Sequence, residues 1–188
     1  EAALVTSVSM LIGNVVAIVL MLPCIIFSTE IAGVFGLDKS TTEQAAEFIK
    51  YLSFFNVAFA INMVIGASLR AAGDTMTPLW VGAITNIVNV ALVYVLVFGL
   101  YGMPEMGVSG AAVANGLSFT VGALVLLYLL YSRKLRITVG SRGSITRKRV
   151  QQLIHIGYPA GIEQFVFQGG FIAFLWLVGY YGTEAFAA

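Results

Sequence analysis

Five apolar runs dominate the chain, at approximately residues 4–27, 47–69, 79–100, 107–131 and 158–181. Each matches the roughly 20 residues that an α-helix needs to cross a hydrocarbon layer of about 30 Å. Lipid offers no partner to backbone N–H and C=O groups, so such runs must satisfy them internally, as helices. With 59% hydrophobic and only 10% charged residues among 188, the chain carries more apolar surface than a soluble core can use. The expected fold is all-α, a polytopic bundle of membrane helices. A net charge of +1 argues against nucleic acid as a partner, and the single cysteine, Cys24, excludes an internal disulfide. The chain starts at Glu1 without a basic leader and ends on EAFAA. We read it as part of a longer protein, whose remaining helices and surrounding lipid are its partners.

The connections carry the charge. Residues 28–46 hold Glu30, Asp38, Glu43 and Lys39, and residues 101–106 hold Glu105. The segment 133–157 holds Arg133, Lys134, Arg136, Arg142, Arg147, Lys148 and Arg149, seven of the ten basic residues, with no acid. Basic loops stay in the cytoplasm. Alternation across the spans then puts the loop 70–78, RAAGDTMTP, on the same side, and puts 28–46 and 101–106 outside, as expected for a multi-pass protein of the cell membrane. Within 70–78, Arg70, Gly73, Asp74 and Pro78 read as structural: Arg70 and Asp74 close the turn as a pair, and Arg70 anchors the helix end. Ser40-Thr41-Thr42-Glu43 has the form of a capping box and predicts a helix start near Thr41. Val150, Leu153, Ile154 and Gly157 recur at helical spacing, which predicts a short amphipathic helix within 143–157, either lying on the inner membrane surface or, as the first reading, a solvated linker helix that leads into the next span. The organisation is four spans over 1–132, a basic linker over 133–157, and a further span over 158–188.

Polar groups inside the spans need a reading, because lipid makes them expensive. Asn14, Asn56, Asn62, Asn86, Asn89, Asn115 and Ser118 are either glue between helices or the lining of a hydrated cavity. Gly110 with Ala114, and Ala112 with Gly116, are small pairs that let another helix approach closely. Glu163 is the sharpest residue. It lies in GYPAGIEQFVFQGG, with Pro159 expected in the first turn of its helix and Gln164 and Gln168 extending a polar stripe. It reads as a proton or cation site, against the alternative of an interfacial acid that snorkels to a basic residue of the linker. No Ser/His/Asp, Cys/His or metal-ligand constellation is present, and His155 is isolated, so the sequence points away from an enzyme.

Four segments in order carry a resemblance: YLSFFNVAFAINMVIGASLRAAGDTMTP, NIVNVALVYVLVFG, GVSGAAVANGLS, and IGYPAGIEQF with GTEAFAA. Together they resemble the multidrug and toxic compound extrusion (MATE) family of the MOP flippase superfamily, with its R-x-x-G-(D/N)-x-x-x-P loop. The resemblance implies that the chain covers spans three to seven of twelve, with 133–157 as the linker between two six-helix halves. It implies an antiporter that exports amphipathic, often cationic small molecules by alternating access. Na⁺ or H⁺ is the coupling ion, with no other cofactor. Glu163 matches an acid implicated in coupling in NorM-type members. Asn86, Asn89, Asn115, Gln164 and Gln168 would line the cavity. Where one branch carries an Asp four residues beyond Asn89, this chain has Val93. A lipid-linked saccharide flippase of the same superfamily needs several inward-facing cations, which these spans lack. A membrane scaffold subunit is the reading from another class.

Overall fold

A computed structural model describes residues 2–34, 38–133, 135, 137 and 147–180. The chain forms two compact units, Glu1–Gly143 and Ser144–Ala188. The first unit contains α1 (Ala2–Ile26), α2 (Ser28–Gly33), α3 (Lys39–Phe54), α4 (Asn56–Ala71), α5 (Met76–Phe98), a 3-10 turn at Leu100–Gly102, and α6 (Gly107–Tyr131). The second contains α7 (Arg147–Tyr180). No strand occurs among the described residues.

In the first unit α6 is the central element, packed against α3, α4 and α5, while α1 packs against α3 and α4. Its sequence explains the position. Ser109, Gly110, Ala112, Ala114, Gly116, Ser118, Gly122 and Ala123 are all buried, and small residues let neighbouring backbones come close where lipid supplies no hydrophobic drive between helices. At Gly110 a Cβ would stand 2.8 Å from the carbonyl oxygen of Leu96. The outer helices invert the soluble pattern. On α5, Trp80, Ile84, Ile87, Tyr94 and Phe98 are exposed along one face at helical spacing. A stripe of that size needs a bilayer or other helices to cover it.

Among the described residues, three helical stretches are long and apolar enough to cross a membrane: Thr6–Ile26, Met76–Phe98 and Gly107–Tyr131. A fourth crossing requires α3 and α4 together, and these are bent by 56°. The second span was expected to be one helix over 47–69, and it is a broken one. The break falls at Phe55 (φ −94°, ψ 9°), where neither proline nor glycine marks it. Two tertiary anchors meet there. The Phe55 ring lies against Gly116 of α6, and Asn56 Nδ2 donates to the carbonyl of Ala17 in α1 at 3.0 Å.

The start of α3 also differs from expectation. Its cap is Asp38, not Ser40 with Glu43. Asp38 accepts from the Thr41 amide at 3.2 Å and from the Thr41 hydroxyl at 2.5 Å. Asp prevails because its short carboxylate reaches the amide three residues on, a D-x-x-T pattern overlapping the S-x-x-E. The Thr41 hydroxyl, then the Thr41 amide, hold the exposed Asp38 carboxyl below the usual carboxylate range. A lowered folded-state pKa contributes stability that is present above the unfolded value and is lost as pH falls through the folded one. Asn caps as well as Asp but does not titrate. The melting temperatures of wild type and Asp38→Asn are therefore expected to converge as pH drops below about 4. A gap that is constant with pH would refute this.

The loop 70–78 joins two capping devices. Asp74 N–H donates to the Leu69 carbonyl at 2.9 Å and Gly73 N–H to the Arg70 carbonyl at 3.0 Å, a Schellman closure of α4. Gly73 sits at φ +80°, where glycine avoids a Cβ penalty. Asp74 then caps α5, accepting from the Thr77 amide at 3.0 Å and the Thr77 hydroxyl at 2.7 Å, with Pro78 in the first turn. The turn is thus closed by its backbone and by Asp74 with Thr77, and no Arg70–Asp74 ion pair occurs among the described residues.

The second unit corrects one expectation, the place of Pro159. The amphipathic segment and the residues that follow it form a single helix, α7. Pro159 lies in the interior of α7, not in its first turn. Gly157, Gly161, Gly169 and Gly170 do not interrupt the helix. Part of the linker, 134, 136 and 138–146, lies outside the described residues, as does GTEAFAA.

Candidate functional site

The amides of the first unit sort by what they bond. Asn62 Nδ2 donates to the Ala58 carbonyl of its own helix at 2.8 Å and to the Phe119 carbonyl of α6 at 2.7 Å. Asn89 Nδ2 donates to Asn115 Oδ1 at 2.8 Å, joining α5 to α6. With Asn56 these bonds tie each neighbour of the broken span and the central helix together. Ser118, although three residues from Asn115, turns to the Ala114 carbonyl at 2.6 Å. Asn14 Oδ1 is buried with no hydrogen-bond partner among the described residues.

Asn86 and Asn89 were expected to act on one face. They part: Asn89 reaches α6, while Asn86 is exposed at the edge of a groove of about 180 Å³ between α4, α5 and α6. Asn62, Gly66, Arg70, Gly82 and Thr85 contribute to its wall. At its floor Gly122 is required by space, because a Cβ there would fall 2.6 Å from Thr85 Oγ1 and 2.7 Å from Asn62 Oδ1. Below it lies the core of Ile65, Leu69, Val81, Leu126 and Leu130, with Leu135 and Ile137 folded against them. A second cavity, of about 200 Å³, opens at the helix break between Leu52, Phe55, Asn56, Phe59 and Phe119. The Phe59 and Phe119 rings meet edge to face at 5.1 Å.

Glu163, Gln164 and Gln168 are exposed on α7. Fourteen residues separate Arg149 from Glu163 along this one helix, about 21 Å at 1.5 Å per residue. Sequence reasoning passed over Glu47. Its Oε2 accepts from the Ser109 hydroxyl at 2.6 Å, tying α3 to α6. The partners are 62 positions apart, and no local pattern links them.

The fold and the polar groups lead to known proteins. The MatE family model matches residues 1–95. A relative from Thermotoga maritima that bears the name NorM is 39% identical over 157 residues, covering 81% of this chain and 33% of the relative. The multidrug resistance protein NorM of Burkholderia vietnamiensis is 29% identical over 180 residues, covering 94% and 39%. An inward-facing multidrug resistance MATE family transporter of the MOP superfamily superposes with a TM-score of 0.73 at 21% identity, covering 82% of this chain and 34% of that one; that likeness shows the fold. The chain spans about a third of the length of the relatives it matches. On the matched residues, the ordered motifs and the shared helical fold, it belongs to the MatE family of membrane proteins.

Proposed function

We propose that the chain supplies helices of a cation-coupled multidrug antiporter, which exports amphipathic, often cationic compounds in exchange for Na⁺ or H⁺ by alternating access. The observation that carries this is Glu163, the only carboxylate of α7, set in an apolar helix away from that helix's own basic residues. The relatives named for multidrug resistance support the class of cargo. Asn89 and Asn115, bonded across α5 and α6, line the first-half cavity in this reading, and exchanging that bond for one to a substrate would open it. The seven basic residues of 133–149 support a cytoplasmic side for the linker and the loop 70–78 in this reading.

The test uses the full-length protein in proteoliposomes with an imposed Na⁺ or H⁺ gradient. Efflux of a lipophilic cation should follow one gradient and collapse with the matching ionophore, and substrate should stimulate counterflow of that ion. Efflux that ignores both gradients would overturn the coupling.

A further inference from the structure

Arg70 has no role in the reading above, and its placement is specific. It lies four residues after Gly66 on α4, so the two share a face. Side chains on a helix lean back toward its N-terminus, and with no side chain at Gly66 the guanidinium lies back over the preceding turn. The three atoms nearest to a Cβ built on Gly66 are all from Arg70: Nη1 at 3.4 Å, Nη2 at 3.8 Å and Cζ at 4.0 Å. The head group is thereby held at the groove of about 180 Å³ instead of reaching away past the helix end. Asn86, on the α5 edge, is the second polar group there without a hydrogen bond among the described residues.

We propose that this groove is a binding site for an acidic phospholipid. The phosphate of the lipid would accept from the Arg70 guanidinium, and the start of its glycerol and acyl portion would lie toward Asn86. A guanidinium presents a fork of donors matched to phosphate oxygens. Five apolar residues, Met63, Pro78, Val81, Phe119 and Leu126, complete the lining, which suits a lipid and would leave a free inorganic anion in an apolar slot. The volume is roughly six times that of a liquid water at about 30 Å³, enough for a phosphate and the first carbons behind it. The groove runs from the α4–α5 turn inward, so the lipid comes from the leaflet beside that turn. A positive group at the mouth also disfavours cationic cargo, which separates this site from the proposed transport pathway. The proposal stands whether or not Glu163 couples ions.

The full-length protein in neutral detergent is titrated with phosphatidylglycerol, with phosphatidylcholine of the same chains, and with inorganic phosphate. Bound lipid is read by native mass spectrometry and stability by melting temperature. Wild type should hold phosphatidylglycerol about tenfold more tightly than phosphatidylcholine, because both offer the same phosphodiester but only phosphatidylcholine brings a choline cation up against Arg70, a like-charge repulsion. Arg70→Gln should remove that preference. Gly66→Val, which keeps every charge but displaces the guanidinium, should remove most of it, and Arg70→Lys should keep part. If Arg70→Gln does not fold, the other two variants decide. An undiminished preference in Gly66→Val and Arg70→Gln would overturn the proposal. So would equal stabilisation by inorganic phosphate, which would make the site one for a soluble anion. Absence of any lipid preference in wild type would overturn the proposal as well.

Discussion

Gly116→Ala is expected to destabilise the first unit more than any other single methyl addition, and Phe55→Ala is expected to rescue it. A Cβ on Gly116 would fall inside the envelope of the Phe55 ring, against Cγ as well as the outer carbons. The ring cannot slip aside by moving only its tip, because the atom joining it to the chain is part of the clash. Either Phe55 leaves α6, or α4 and α6 separate. Overpacking of this kind costs about 1–3 kcal/mol, and Gly116→Leu should yield no monodisperse protein. Truncating the ring in the Gly116→Ala background should return at least about 1 kcal/mol as a coupling energy. Gly82→Ala is the control, since a Cβ there meets nothing within 4 Å. Equal losses in melting temperature at 116 and 82, or no coupling between positions 55 and 116, would show that the helix break does not depend on this contact.

That break also marks where the sequence stops being legible. A span near 47–69 is readable from its apolar run, because burial in lipid acts on every residue of the run. The bend in it is not, because YLSFFNVAF contains none of the usual local causes. It arises from neighbours that sit far along the chain: Gly116 receiving Phe55, and Ala17 accepting from Asn56. The loop 70–78 is the opposite case. Gly73 at a left-handed φ and Asp74 reaching Thr77 are local devices, so a five-residue window contains their whole explanation. Asp74 bonds Thr77, and no Arg70–Asp74 ion pair occurs among the described residues. The capping geometry favours an amide and a hydroxyl three residues ahead over a charge four residues behind. Asp38 with Thr41 repeats the same D-x-x-T device. The amides sit between these extremes. That Asn56, Asn62 and Asn89 would find partners follows from the expense of unpaired groups in lipid. Which helix each one reaches depends on how α6 is packed, and Glu47 with Ser109 shows a pairing that no spacing announces.

Glu163→Gln is expected to abolish gradient-driven efflux while leaving the protein folded. Gln is nearly isosteric and keeps the side-chain oxygen, but it neither binds a proton at any working pH nor carries the charge that holds Na⁺. A carboxylate in the middle of an apolar helix costs about 2.5–3.5 kcal/mol on insertion scales, so a neutral amide should insert at least as well, and expression should not fall. The nearest basic residues of α7 lie about 21 Å away along the helix axis, so removing the charge does not orphan a cation on that helix. Transport and folding effects are therefore separable here. Efflux should drop at least about tenfold, to the level seen without a gradient, while substrate binding to detergent-solubilised protein changes little. Glu163→Asp keeps the titrating group on a shorter arm and should retain part of the activity. Val93→Asp, which installs an acid four residues beyond Asn89, should not rescue the Gln variant if Glu163 carries the coupling. Full efflux by Glu163→Gln in proteoliposomes would place the coupling group elsewhere in the protein.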